Sequence, residues 1–403
     1  MARGSASLGR LDWSTWPRYD AAVVGFPEYW YPAIEAGKVR GKPVPLTLAG
    51  QELVLIRDGG KVYALHDRCL HRGVPLSLGA GTFGGRTYSR QVFPGTLSCG
   101  YHGWTYDLRS GTLVAALTDG PDSPICGKVR VRTYPAEERF GIVWVWMGEG
   151  SPPPLDEDLP EDLLKPDAVV GGVRASLRDG NWRYAAENGF DEPHPRFLHR
   201  NSLWQLFNRQ PGWIKTHVEA SPDGKWLKYL PDEVHFEDDF PGLGRWPIKR
   251  WWEVRKGGPR ISIRMPCTLR VHYGEWIHFA WYVPVDEGHH RYFQFAVKRT
   301  SGWDAVWFKL RYRLYIRRIF HTWFSRQDGV MLAAIKAPPE RLFRPDATLI
   351  AWRKLCEGAR RPDGEWQAPS IEPETIAVSY AYTEEPGPAT VIGPHSSGKS
   401  SAS

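Results

Sequence analysis

The chain reads as an α+β protein of two domains, a small antiparallel β domain followed by a larger domain of mixed helices and strands. Its 403 residues exceed the commonest size of a single domain. Short apolar runs broken by Gly-containing turns crowd the N-terminal part, while paired strand patterns and one long helical pattern fill the C-terminal part. Between them lies GEGSPPPLDEDLPEDLL, residues 148–164, whose three consecutive prolines and acidic run exclude a sheet interior.

In chain order, residues 1–26 are polar and are expected to drape over the fold. The first domain spans 27–150. Its runs at 45–48, 52–56 and 61–65 are broken by Ala49-Gly50-Gln51 and Asp58-Gly59-Gly60, and an Asp-Gly step between apolar runs predicts a hairpin. GIVWVWM at 141–147 is apolar on both faces and predicts a buried strand. A linker at 151–166 leads to the second domain, 167–383. There, 276–284 and 290–297 flank a hairpin at 285–289, and a helical pattern runs from 303 to 334. The last residues, 384–403, are rich in Pro, Ser and Gly and predict a disordered tail.

Composition narrows the function. The 20 tryptophans exceed what a core needs and suggest that some wall an apolar pocket, expected among Trp204, Phe207, Trp213, Phe236, Phe240 and Trp246. The net charge of +7 suits an acidic partner or simply a soluble surface, and no Lys/Arg block has the regularity of a nucleic-acid motif. An odd set of five cysteines argues against a disulfide scaffold and for a reducing compartment. The N-terminus lacks an apolar stretch of the secretory kind, and no window is long and apolar enough to span a bilayer. A cytoplasmic, soluble protein is the expectation.

Two stretches carry chemistry. In the first domain, DRCLHRG holds Cys69 and His71, and LSCGYHGWTYD holds Cys99 and His102. Two thiolates and two imidazoles can hold zinc or a two-iron, two-sulfur cluster. In the second domain, NWRYAAENGFDEPHPRFLHRNS at 181–202 gathers Asp191, His194 and His199. Two imidazoles and a carboxylate on one side of a ferrous ion leave its other side open for oxygen, although surface histidines on a polar helix would look the same. A five-residue step turns a regular helix by about 500°, off a shared face, and Pro193 and Pro195 supply the distortion that lets the histidines converge. His217, His235, His272, His278, His289 and His290 have no ligand spacing and read as structural or surface residues.

These motifs resemble those of the Rieske non-haem iron oxygenases. CLHRG followed by CGYHGW is similar to the Rieske cluster motif, and NGFD-x-x-H-x(4)-H to the iron motif of the catalytic domain. DRCLHRGV, ENGFD and DATLIAWRKLCEG (346–358) are similar to the terminal oxygenase (α) components of the carbazole dioxygenase type. The resemblance implies a Rieske [2Fe-2S] domain followed by an α/β helix-grip (START-like) catalytic domain. It implies that Cys69 and Cys99 bind one cluster iron and His71 and His102 the other. It implies a mononuclear Fe(II) on His194, His199 and Asp328, the last in SRQDGVM at the end of the long helix. Asp304, at that helix's start, reads instead as an N-terminal charge. Asp191 would be the bridging carboxylate.

A homotrimer is implied too, fed from NAD(P)H through a reductase and/or ferredoxin. Electrons would cross to the neighbouring subunit's iron through His102, Asp191 and His194. The implied substrates are O2 and a flat hydrophobic aromatic or heteroaromatic molecule, carbazole-like first, with monooxygenation or demethylation second. Two departures stand out: the histidines lie one residue further apart than in carbazole dioxygenase-type enzymes, and residues 80–91 read as a Gly-rich loop insertion near the cluster.

Other classes fit less well. A Rieske electron carrier has no use for His194, His199 and Asp328, and a zinc-stabilised binding module leaves the residues flanking the first motif unexplained. The long helix is basic and aromatic, and reads as a core helix with a solvated cationic face rather than a membrane-surface helix.

Overall fold

Both glycines of the Asp58-Gly59-Gly60 turn take positive φ, 53° and 81°, and so close a tight hairpin between Gln51–Asp58 and Lys61–His66. The computed structural model describes residues 13–78, 80–83, 86–88, 93–199, 202, 213–235, 261–336 and 340–361, with backbone alone at 80–83, 86–88, 213 and 234–235. The tail at 384–403 and the aromatic residues Trp204, Phe207, Phe236, Phe240 and Trp246 lie outside these, and Trp213 is described by its backbone only.

The N-terminal part is built of short antiparallel strands: β1 (Trp30–Glu35), β2 (Val44–Leu48), β3 (Gln51–Asp58), β4 (Lys61–His66), β5 (Ala80–Phe83), β6 (Arg86–Tyr88), β7 (Thr96–Ser98), β8 (Trp104–Asp107), β9 (Leu113–Ala116), β10 (Thr133–Tyr134), β11 (Ala136–Arg139) and β12 (Ile142–Trp146). They pair in the orders β1-β12-β11, β10-β4-β3-β2, β7-β8-β9 and β5-β6. The stretch expected as a loop insertion therefore contains its own hairpin, β5 with β6.

The C-terminal part holds one seven-stranded antiparallel sheet, in the order β13-β19-β18-β17-β16-β15-β14. Its strands are β13 (Ala168–Asp179), β14 (Trp213–Ala220), β15 (Trp226–His235), β16 (Ile261–Arg264), β17 (Thr268–His272), β18 (Ile277–Pro284) and β19 (His289–Arg299). The helices are α1 (Pro17–Ala21), α2 (Glu161–Leu164), α3 (Trp182–Phe190), α4 (His194–Leu198), α5 (Gly302–Arg311), α6 (Ser325–Leu332) and α7 (Ala347–Glu357). Two π-helical turns, Tyr312–Ile316 and Ile319–Phe324, carry the chain from α5 to α6. This is the α+β arrangement expected, small antiparallel sheets and then a larger sheet with helices.

Strand periodicity positions the site. Every residue of β18 is buried, so both of its faces are covered. Its odd face meets the N-terminal part, with Trp281 edge-on to Trp144 at 5.5 Å. Its even face, with Tyr282 stacked on Tyr292 of β19 at 5.0 Å, turns toward α3 and α6. One apolar core accordingly runs from β1 and β12 into the large sheet, and a second, smaller core lies around Leu65, Leu97 and Tyr106.

Two segments are bound more firmly than the sequence suggests. Residues 13–26 do not drape over the surface: Trp13, Trp16, Tyr19 and Phe26 are buried in the main core. In the Pro-rich stretch, Leu155, Leu159 and Leu163 are buried, and Asp158 accepts from the backbone N–H of Trp30 and pairs with Arg360 at 2.8 Å. Asp156, Glu157 and Glu161 point outward while these three leucines and Asp158 point in, a pattern hidden by the prolines.

Candidate metal centres

Cys69 and Cys99 stand at the start of two matching turns. Gly73 N–H donates to the Cys69 carbonyl at 2.8 Å, and Gly103 N–H to the Cys99 carbonyl at 3.1 Å. Each turn closes through a glycine at positive φ, 71° at Gly73 and 70° at Gly103. A Cβ on Gly103 would lie 2.8 Å from that of Leu117. The turns face one another, so that the His71 and His102 rings meet edge to face at 4.6 Å and His71 stacks on Trp104 at 5.0 Å.

The donors converge on one small cavity lined by Cys69, His71, Cys99 and His102. Hydrogen bonding to Cys99, then to the Tyr106 hydroxyl and the His71 backbone N–H, lowers the pKa of the Cys69 thiol. Tyr106 accepts from Leu70 N–H at 3.0 Å, which leaves its own O–H to point at Cys69 Sγ, 3.3 Å away. His102 Nδ1 is buried with no hydrogen-bond partner. Paired thiols, paired imidazoles and an orphaned ring nitrogen around one cavity fit a two-iron, two-sulfur cluster.

The second group forms where α3, α4 and α6 meet. Asn181 caps α3, its Oδ1 accepting from Arg183 N–H at 3.1 Å. The helix ends at Phe190 and Asp191 turns out of it in extended conformation. α4 follows at once, entered at Pro193 with Pro195 in its first turn, and is only five residues long. His199 lies just beyond its end, at φ −91° and ψ 4°, which brings its ring centroid to 5.5 Å from that of His194. The five-residue step is thus not taken along a regular helix.

His194, His199 and Asp328 each present a ligand atom, all within 4.8 Å of one another. The other ring nitrogens are occupied. His194 Nδ1 is 2.8 Å from the Asp191 carbonyl, and His199 Nδ1 is 2.6 Å from Gln327 Oε1. Both are acceptors, so each Nδ1 donates and each Nε2 carries its lone pair inward. His199 Nε2 then faces Asp328 Oδ1 at 3.0 Å and His194 Nε2 faces it at 3.7 Å. Two lone pairs aimed at one buried carboxylate oxygen require a cation between them, and these residues fit a ferrous ion. Burial lowers His194 to a pKa of about 4, so the ring is neutral, as a ligand must be. Burial acts to raise the Asp328 carboxyl, yet its pKa stays below the usual carboxylate range, held down by the facing His199 and His194 rings and a hydrogen bond from Asn188.

Asp191 lies beside this group with its Oδ2 at 3.7 Å from His194 Nδ1. Its Oδ1 is buried without a partner, and burial, then the charges of Asp346 and Glu192, push its pKa up to about 8.

A pocket opens on Asp328 and His194. Its apolar wall includes Tyr229, Ile261, Leu269, Val271, Tyr273 and Phe320; Gln294, His278 and the Glu192–Arg196 pair (2.7 Å) give it polar points. His278, read from the sequence as structural or surface, is buried in this wall and bonds to His321 at 3.1 Å. Of the other histidines read that way, His217 pairs with Asp232 and His289 with Asp286 at the surface, His290 donates to the Gly180 carbonyl, and His272 accepts from Gly274 N–H. The side chain of His235 lies outside the description.

The chain is similar to known proteins in sequence and in fold. Residues 29–135 match the family model of the Rieske [2Fe-2S] domain, and residues 146–212 and 236–362 that of the homotrimeric ring hydroxylases. The terminal oxygenase component CarAa of carbazole 1,9a-dioxygenase from Sphingomonas sp. is 34% identical over 386 residues, 88% of this chain and 97% of that protein. The solved terminal oxygenase of carbazole 1,9a-dioxygenase from Nocardioides aromaticivorans IC177 superposes with a TM-score of 0.72 at 30% identity, covering 87% of this chain and 99% of that one. A solved reduced complex between oxygenase and ferredoxin in carbazole 1,9a-dioxygenase gives a TM-score of 0.73 at 28% identity, over 88% and 94% of the two chains.

Proposed function

The chain belongs to the Rieske-domain homotrimeric ring hydroxylases, oxygenases that carry a [2Fe-2S] cluster and a mononuclear iron, and we propose that it hydroxylates a flat hydrophobic aromatic or heteroaromatic molecule. The observation that carries the reading is the apolar pocket that ends on His194 and Asp328, two members of the converging group His194, His199 and Asp328. A carbazole-like polycycle, dioxygenated at an angular or lateral position, is the first candidate, after the substrate named for the relatives.

In this reading Cys69, His71, Cys99 and His102 hold the cluster, and His194, His199 and Asp328 hold the iron. When bound, the iron supplies the redox chemistry that activates O2. The chain does the rest. Gln327 and the Asp191 carbonyl fix the two imidazole rings, Asn188 holds the Asp328 carboxylate, and the aromatic wall orients the substrate and keeps water away. Asp191 bridges the two metal sites across a subunit boundary, following His102 of one protomer and leading to His194 of the next. Electrons come from NAD(P)H through a reductase and a ferredoxin-type donor, the kind of partner bound in the oxygenase–ferredoxin structure. Leu70 and Tyr101, exposed beside the cluster ligands, offer that donor an apolar rim. All five cysteines are free, which suits the reducing cytoplasm.

Gln294 and His278 in the pocket wall favour a second reading, monooxygenation or demethylation of a substrate bearing a polar group. One experiment separates the two. The reconstituted protein is supplied with NADH, a heterologous reductase and ferredoxin, a panel of polycyclic aromatics and labelled O2. Two labelled atoms in the product support dioxygenation, and one supports the second reading. No substrate-dependent O2 uptake across the panel would overturn the aromatic-substrate assignment.

A further inference from the structure

The helical run from α5 to α6 has two apolar faces, and the fold uses one of them. Phe308, Tyr312, Ile316 and Phe320 pack inward around Trp276. In the single chain the opposite face is exposed: Trp303 is 87% exposed, Leu314 64%, and Trp307 and Trp323 61% each. On α5 itself, Trp303, Val306, Trp307 and Leu310 fall within an arc of about 100°. Lys309 borders that arc on one side and Arg311, paired with Glu275 at 3.0 Å, on the other. Further along, Arg313, Arg317 and Arg318 are exposed and make no side-chain hydrogen bond or ion pair among the described residues. The single acid of α5, Asp304, is already engaged by Lys298 at 2.8 Å.

An apolar ridge with cations along both borders is neither a solvated face nor the all-apolar face of an obligate protein interface. We propose that this face docks onto an anionic lipid surface. The tryptophans and leucines enter the boundary between headgroups and acyl chains, and Lys309, Arg313, Arg317 and Arg318 reach the lipid phosphates. The helix lies in the surface and does not cross it, since no helix among the described residues is long and apolar enough to do so. Charge complementarity and interfacial tryptophan select lipid over a second copy of this chain, which would have to bring a matching acidic ridge.

The placement has a consequence for substrate supply. The same helical run lines the pocket through Phe320, Phe324, Ser325 and Asp328. A hydrophobic molecule dissolved in the bilayer would therefore meet the oxygenase at the outer side of its own pocket wall. That consequence rests on the hydroxylation reading, whereas the docking does not.

Vesicle flotation of the full-length, metal-loaded protein tests it, without any turnover. Vesicles of phosphatidylcholine alone are compared with vesicles containing about one quarter phosphatidylglycerol. The protein is expected to float with the anionic vesicles and to be released by salt. Trp303→Ser with Trp307→Ser, and separately Arg313→Gln with Arg317→Gln, are each expected to weaken the partition by about tenfold or more. Sedimentation and cluster absorption of both variants should match the parent. The proposal is overturned if the parent does not float, if the variants float as well as it does, or if the tryptophan variant loses its oligomeric state, which would give the face to a second subunit. It is equally overturned if the face cross-links in solution to the acidic residues Glu372 and Glu374 of the chain's own C-terminal segment and flotation fails. None of these results bears on whether the labelled-oxygen experiment succeeds.

Discussion

His199 is restrained at both ring nitrogens, by Gln327 on one side and by the space it shares with Asp328 on the other. Asp328→Ala should therefore remove the mononuclear iron and leave the cluster intact. Iron analysis would fall to the content of the cluster alone, while acid-labile sulfide and the red-brown absorption persist. Unchanged iron would transfer the ligand role to another carboxylate. Gln327→Leu frees the His199 ring to rotate, and iron affinity should fall by about 10–100-fold, read by competition with a chelator. Asp191→Ala should keep both metals yet lose nearly all turnover, and near-normal turnover would end its bridging role. The cysteine and histidine motifs were legible as short, closely spaced clusters, whereas Asp328 was reached only through the resemblance to a known family. Gln327 and Asn188 were not legible. An amide has no metal signature of its own, and Gln327 becomes a partner of His199 only when α6 is laid against α4, across 128 positions of sequence.

Among the elements, α3 carries the most, because Glu187, Asn188 and Asp191 leave it or its end on different sides. Glu187 is buried and accepts from Arg353 of α7 at 2.6 Å and from the Tyr19 hydroxyl of α1 at 2.7 Å. Burial raises the pKa of its carboxyl, and Arg353 pulls it back. Arg353 is itself fully buried, bonds Glu340, and lies against Trp13, Trp16 and Tyr19. Three chain segments thus meet on one ion pair behind the iron site. Arg353→Ala leaves a buried carboxylate unpaired and should cost about 3–5 kcal/mol, measured by chemical unfolding. A loss below about 1 kcal/mol, the range of exposed pairs, would mean that water reaches this network.

The hairpins and the long helix were legible because their periods are local. The burial of residues 13–26 was not, since their aromatic residues acquire a partner only in α3 and α7. In the cluster turns, Gly103→Ala should fail to assemble the cluster, seen as lost visible absorption, because the new Cβ meets Leu117 at a positive φ. The structural reason is visible in the sequence only as C-x-x-H-G.

At the scale of the molecule, the cluster cysteines sit in the smaller core and the iron site beside the main one, and the proposed function pairs the cluster of one protomer with the iron of its neighbour in a homotrimer. That pairing can be tested by complementation. A variant lacking cluster ligands, His71→Ala with His102→Ala, and the variant Asp328→Ala should each be inactive alone. Co-expressed and assembled at random, they form trimers in which an intact iron site follows an intact cluster in the next subunit. For equal mixing, about one quarter of the wild-type turnover per protomer is expected, the product of two independent even chances around a closed ring. If electrons instead stayed within a protomer, the mixed trimers would be as inactive as their parents, because no chain holds both intact stations. The assay needs the two variants to be mixed before assembly, and combining them after assembly provides the control that should stay inactive. Recovery only in the first case places the electron path between subunits, a relation that a single chain's sequence could suggest through resemblance but never display through spacing.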